Sequence, residues 1–207
     1  SLVVRVELRK DNRLYLNDGS GALFDSLNYA IGSDSDTTMA IALGDVDGDG
    51  DLDVVAGNSG QTNKLYLNDG DAAPFDTIGA GAAIGSSSDS TNAIALGDVD
   101  SDGDLDVVAG NSGQTSKLFL NDGGGAPFDT VGAGTAIGTG TDSTAAIALK
   151  DVDGDGDLDV AAGNVGQTNK LYLNDGVGAP FDTVTTGTVI GSDTDATYAI
   201  ELGDADG

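Results

Sequence analysis

Apolar and polar positions in this chain change over in short runs, and the same order of runs returns several times. AIALGDV at 40–46 is apolar and breaks into an acidic loop, LDVVAG at 52–57 is a second apolar run, and KLYLND at 64–69 ends in an Asn-Asp-Gly turn. In the third run Leu65 and Leu67 point one way and Lys64 and Tyr66 the other, the period of two that a half-buried strand needs. A weaker segment, PFDTIGAGAAIG at 74–85, completes the set. Gly and Asn interrupt every window that could carry a helical period, so the pattern predicts four short strands joined by brief loops.

The set repeats. GDVDGDGDLD at 44–53 returns as GDVDSDGDLD at 97–106 and KDVDGDGDLD at 150–159, and its first half returns as GDADG at 203–207. The leading residues Asp45, Asp98, Asp151 and Asp204 are each 53 positions apart, and the segments between them recur with them. A four-stranded unit of about 50 residues, stacked side by side, marks a propeller blade; a β-helix, the competing architecture, usually repeats on a shorter period. The expected fold is therefore all-β: a β-propeller of about four four-stranded antiparallel blades. Residues 38–90, 91–143 and 144–196 each make one blade. Residues 1–37 supply strands two to four of a split blade, and 197–207 the first strand of that blade or of the next. The two ends then share a blade within one molecule or complete a neighbour's.

Composition sharpens this picture. Thirty-three glycines and few aromatics in 207 residues call for a core of small aliphatics on strands with many tight turns. Acidic side chains outnumber Lys and Arg by 35 to 8, for a formal charge of −27. Nearly all the acid is Asp, which favours loops that turn back on the backbone or hold a cation over helix faces. Such an excess argues against nucleic acid or anionic membrane as a partner. No stretch approaches the ~20 apolar residues of a membrane span, and no signal peptide is visible in this chain. With no Cys there are no disulfides or thiolate metal sites, and with no His a zinc site or a catalytic triad is not expected.

The acidic loop carries the chemistry. In D-x-D-x-D-G-D-x-D, carboxylates at positions one, three, five and nine converge if the loop curls, and position seven offers its carbonyl. Oxygen-only ligands at that spacing suit a hard cation with six to eight ligands, and calcium over magnesium or a transition metal. Gly50, Gly103 and Gly156 fall at position six, where a sharp turn needs positive φ. Without a cation the carboxylates repel, so the empty loop is expected to be disordered. An EF-hand would need Glu at position twelve between helices, yet Ala56, Ala109 and Ala162 stand there between strands, and the RTX nonapeptide rhythm is absent.

The loop, the LDVV strand, the GQTNKLYLNDG stretch and the trailing Phe together resemble the FG-GAP or VCBS repeat family, related to the calcium-bearing blades of integrin α-subunit propellers. The resemblance runs over essentially the whole chain in four registers. It implies a calcium ion clamped between the first two strands of each blade. Carried over by position, its ligands are Asp45, Asp47, Asp49, the carbonyl of Asp51, and Asp53 in the first site. The second uses Asp98, Asp100, Asp102, the carbonyl of Asp104, and Asp106; the third uses Asp151, Asp153, Asp155, the carbonyl of Asp157, and Asp159. A fourth, incomplete copy holds Asp204 and Asp206.

Other repeated features divide between bland and sharp readings. Leu2, Val4, Val6 and Leu8 alternate with Val3, Arg5, Glu7 and Arg9, and with Lys10 and Arg13 this segment holds half the basic residues. It reads as an edge strand charged against aggregation, or as a basic strand that docks on an acidic neighbour head to tail. Asp36, Asp89, Asp142 and Asp195 precede the first strands and are read as turn-stabilising acceptors rather than a second cation or glycan site. Tyr15, Tyr66, Phe119 and Tyr172, like Phe24, Phe75, Phe128 and Phe181, occupy equivalent positions and are read as packing between blades rather than a sugar platform.

The function expected from these readings is that of a non-enzymatic, calcium-stabilised extracellular or cell-surface repeat protein for adhesion, surface display or fibre assembly. The alternatives are a carbohydrate-binding propeller using the GNSGQTNK loops, and a non-catalytic segment of a polysaccharide-active enzyme. Expected partners are further copies of the chain, in a ring or a head-to-tail filament, and a glycan or protein ligand.

Overall fold

A computed structural model of the chain describes residues 2–5, 12–16, 28–71, 74–75, 78–124, 126–176 and 179–204. Among them there is no helix, and every regular element is a strand in one of four antiparallel sheets. The first sheet joins β1 (Leu2–Arg5), β2 (Asn12–Leu16) and β3 (Asn28–Ile31). The second runs β4 (Thr38–Gly44), β5 (Asp53–Asn58), β6 (Asn63–Tyr66) and β7 (Ala82–Ile84) in chain order. The third repeats this as β8 (Thr91–Gly97), β9 (Asp106–Asn111), β10 (Lys117–Phe119) and β11 (Thr135–Ala136), and the fourth as β12 (Thr144–Lys150), β13 (Asp159–Asn164), β14 (Asn169–Tyr172) and β15 (Thr188–Ile190).

The second strand of each unit explains the stacking. β5, β9 and β13 are buried along their whole length, so their alternate side chains serve opposite faces. Val54 and Ala56 pack with Tyr66 and Phe75 against Leu14 and Ile31 of the first sheet. Val55, one step along, joins Val46, Leu65 and Ile84 against Val107, Ala109, Phe119 and Phe128 of the third. The pattern then repeats: Val99, Val108, Leu118 and Ile137 meet Val160, Ala162, Tyr172 and Phe181. Each fully buried Val or Leu is worth roughly 1.5–3 kcal/mol, and every seam adds two buried aromatics to these small aliphatics.

Small residues set how closely sheets approach. First strand β8 packs against both β4 and β12. A Cβ on Gly110 of β9 would lie 2.8 Å from Thr144 Cγ2 and 2.9 Å from Ile147 Cγ1 of the next sheet. Gly163 meets Thr197 Cγ2 at the same 2.8 Å, and the Thr197 amide donates to the Asn164 carbonyl at 3.0 Å. Thr197 therefore lies over the fourth sheet as its equivalent Thr144 of β12 lies over the third, although 191–204 form no strand.

Among the described residues the sheets do not close on one another; the observed fold is all-β, with antiparallel sheets that recur on the 53-residue period and pack in chain order. The fourth sheet keeps one face open. Ile190 is 41% exposed where its equivalents Ile84 and Ile137 are 0% and 1%, and Val152 is 45% exposed where Val46 and Val99 are 2% and 1%. The expected N-terminal alternation is only partly visible: β1 pairs with β2 from Leu2 opposite Leu16 to Arg5 opposite Arg13. Val6, Glu7, Leu8, Arg9, Lys10 and Phe24 lie outside the described residues.

Candidate metal centre

Each acidic loop leaves the first strand of its sheet and returns as the second, so its ends are already held by the ladder that pairs Gly44 with Asp53 and Gly97 with Asp106. Within the first loop the carboxylates fold the backbone. Asp45 Oδ2 accepts the Gly50 amide at 3.0 Å, Asp47 Oδ1 that of Asp49 at 3.3 Å, and Asp49 Oδ1 that of Asp51 at 2.9 Å. Gly50, Gly103 and Gly156 have φ of +98°, +102° and +102°, the turn that position six was expected to need.

Position nine is anchored most firmly. Asp53 is fully buried, its Oδ2 accepting the Val46 amide and its Oδ1 the Asn68 amide, both at 2.8 Å. Asp106 holds Val99 and Asn121 in the same way, and Asp159 holds Val152 and Asn174. This arrangement brings Asp45, Asp47 and Asp53 together with one oxygen each within 4.8 Å of the others, and likewise Asp98, Asp100 and Asp106, and Asp151, Asp153 and Asp159. Asp49, Asp102 and Asp155 stand outside these triads, exposed, with Oδ1 accepting from the amide two residues on. At position seven the carboxylates of Asp51, Asp104 and Asp157 lie against Gly70, Gly123 and Gly176, filling the space a Cβ would take. Asp204 is exposed, and Asp206 lies outside the described residues.

The triads fit a hard cation on more than proximity. Asp45 Oδ1 and Asp98 Oδ1 are buried, point at no hydrogen-bond donor, and carry the charge of an acceptor-only group. Burial pushes Asp53 and Asp106 up to about 6, although the amides of Asn68 and Val46, or of Asn121 and Val99, pull the other way. Asp47, Asp100 and Asp153 are also raised, by desolvation and by neighbouring carboxylates. A site that disfavours its own ionised form when empty is one in which a cation supplies the missing counter-charge. The donor set is oxygen alone, which suits calcium ahead of softer metals.

The family assignment rests on the same loops. FG-GAP-like repeats match in three overlapping registers, residues 2–56, 45–109 and 98–162. The chain belongs to the FG-GAP-like repeat family. In this FG-GAP-like chain the first match ends just past the acidic loop at 45–53, and the second and third each run from one acidic loop through the next, so the matches overlap at the loops. Comparison with curated proteins returns no significant match.

Three asparagines of the FG-GAP-like units went unread in the sequence. Asn68, Asn121 and Asn174 open the Asn-Asp-Gly turn and had no role beyond it, yet each backbone amide caps the buried aspartate 15 residues earlier. The constant spacing from position nine was the available signal. The aspartates before the first strands found firmer partners than a local turn. Asp36 Oδ1 accepts Gln61 Nε2 at 2.6 Å, and Asp89 Oδ1 accepts Gln114 Nε2 at 2.8 Å while its Oδ2 pairs with Lys117 at 2.8 Å. Asp142 pairs with Lys170 at 2.7 Å, whereas Asp195 is exposed.

Proposed function

We propose that this chain is a non-enzymatic, calcium-stabilised repeat module that works outside the cell in adhesion, surface display or fibre assembly. The observation that carries the reading is the recurrence of one carboxylate triad at the same strand-loop-strand of three successive sheets. A cation there ties the first two strands of each sheet together. Sensing or catalysis would instead favour one loop that differs from the rest. Extracellular modules hold calcium at affinities of about 10⁻⁴–10⁻³ M, so weak sites fill outside the cell and empty in the cytosol.

The open face of the fourth sheet gives this module a way to extend. Val152, Leu173 and Ile190 are exposed there in the positions that each internal seam covers with a further sheet. Our reading is that the first sheet of a second copy covers them, closing a ring or continuing head to tail as a filament. Carbohydrate binding draws less support. Tyr66, Phe75, Phe119, Phe128 and Phe181 are buried in the seams, and in the GNSGQTNK loop Asn58 and Gln61 donate to Asp36 while Asn63 accepts from the Asn58 amide.

Light scattering in calcium and in chelator tests both parts. Expected are masses above one chain in calcium, reduced by Ile190→Glu, together with loss of thermal stability in chelator. A chain whose stability ignores calcium would sink the reading.

A further inference from the structure

The calcium loops are joined by one hydrogen-bonded path that crosses the sheets. It begins at Asp159 Oδ1, which accepts the Asn174 amide at 2.9 Å. Asn174 Nδ2 donates at 2.9 Å to the carbonyl of Val99, 75 residues away in the loop of the preceding sheet. The Val99 amide donates to Asp106 Oδ2 at 2.8 Å, and Asp106 Oδ1 accepts the Asn121 amide at 2.8 Å. Asn121 Nδ2 then donates at 2.8 Å to the carbonyl of Val46, whose amide reaches Asp53 Oδ2 at 2.8 Å. Every aspartate on this path belongs to a candidate triad, and Val46 and Val99 each sit between the first two carboxylates of one.

We propose that Asn121 and Asn174 are positioning residues that couple neighbouring calcium loops, so that the three sites fill cooperatively. The proposal rests on the calcium reading above. Both asparagines are 1% exposed, and a buried amide without an acceptor is costly, so each needs the preceding loop in its folded shape. Filling the second site fixes Asp106, which fixes Asn121, which holds Val46 between Asp45 and Asp47. The first loop then has less freedom left to lose when its own ion arrives, and the reverse holds by linkage. Asn68 Nδ2 donates to the Leu52 carbonyl of its own loop at 3.3 Å and Asn121 Nδ2 to that of Leu105 at 3.4 Å; the bond to Val46 is what Asn121 adds, so Asn68→Leu is the control for loss of the own-loop bond alone.

The test is a calcium titration of the full chain followed at single residues by NMR. The Gly50, Gly103 and Gly156 amides each bond the leading aspartate of one loop and report it separately. Expected in the native sequence are coincident transitions with a Hill coefficient of about 2. Asn121→Leu separates the Gly50 transition from the other two, Asn174→Leu separates that of Gly156, and Asn68→Leu leaves the three together. Should the leucine variants not fold, Asp47→Asn in the native background weakens binding read at Gly103 by about 5-fold. Independent transitions in the native chain, an unmoved Gly103 midpoint in Asp47→Asn, or coincidence that survives both leucine substitutions would overturn the coupling and leave calcium binding standing. Amides that ignore calcium altogether would overturn both.

Discussion

The Val46 amide donates to Asp53 across the mouth of the first loop, so the loop's last carboxylate is tied to its second residue. Asp53 thus has a structural job that does not depend on an ion. Asp53→Ala strips one buried and one partly buried amide of their acceptor and is expected to cost about 2 kcal/mol even in chelator, since an unsatisfied buried group costs ~1–3 kcal/mol. Asp49→Ala, at an exposed position, should change stability in chelator by no more than about 0.5 kcal/mol. Denaturant unfolding of both variants in chelator checks the contrast; equal losses would refute it.

Calcium removal should be the largest perturbation. With Kd of about 10⁻⁴–10⁻³ M, millimolar calcium adds about 0.4–1.4 kcal/mol per site, and each bound ion also offsets part of the −27 formal charge. Calorimetric melting in millimolar calcium and in chelator is expected to show a rise in Tm with calcium that keeps growing with its concentration. Magnesium, which demands octahedral geometry and releases water reluctantly, should reproduce little of that rise.

The pH dependence should change sign with calcium. Asp53 and Asp106 are raised in the folded chain to about 6 from 3.8, so the fold holds their protons more tightly than the unfolded chain does. Their contribution is then favourable at low pH and is lost as pH rises from about 4 to about 6. In chelator, Tm at about pH 5 should exceed Tm at about pH 7. With calcium present only the carboxylate form binds, and the order reverses. A chelated protein that gains stability between those two pH values would contradict this assignment.

Ser101 holds φ at +62° in the position where Gly48 and Gly154 hold +75° and +84°. A left-handed conformation costs a side-chain-bearing residue about 1–2 kcal/mol, and glycine adopts it freely. Ser101→Gly is therefore expected to stabilise the chain by about 1 kcal/mol, less the extra entropy glycine has when unfolded. Gly48→Ser should cost a similar amount, and matched urea unfolding of the two variants measures both.

Much of the site was legible because it is local. Alternating aspartates at two-residue spacing converge when the loop curls, and the positive φ that the curl needs at position six is supplied by Gly50. The four strands of each unit were legible for the same reason, as KLYLND and LDVVAG carry a strand period and turn residues punctuate them. Asn121 was not legible: its bond to Val46 joins residues 75 apart, and no local pattern distinguishes it from any other Asn-Asp-Gly turn. Asp89 was read as a turn acceptor, yet its partners Gln114 and Lys117 come from beyond the next strand pair.

By itself the sequence determined the 53-residue unit, the strands within it and the acidic loops, because strand periodicity, turn sterics and carboxylate spacing act over a few residues. Only the tertiary structure decided which faces of β5, β9 and β13 meet which neighbour, and that the loops are linked through asparagines. Those outcomes depend on packing and hydrogen bonds between units far apart in the chain, where small residues such as Gly110 and buried amides such as Asn174 act only once their neighbours are in place.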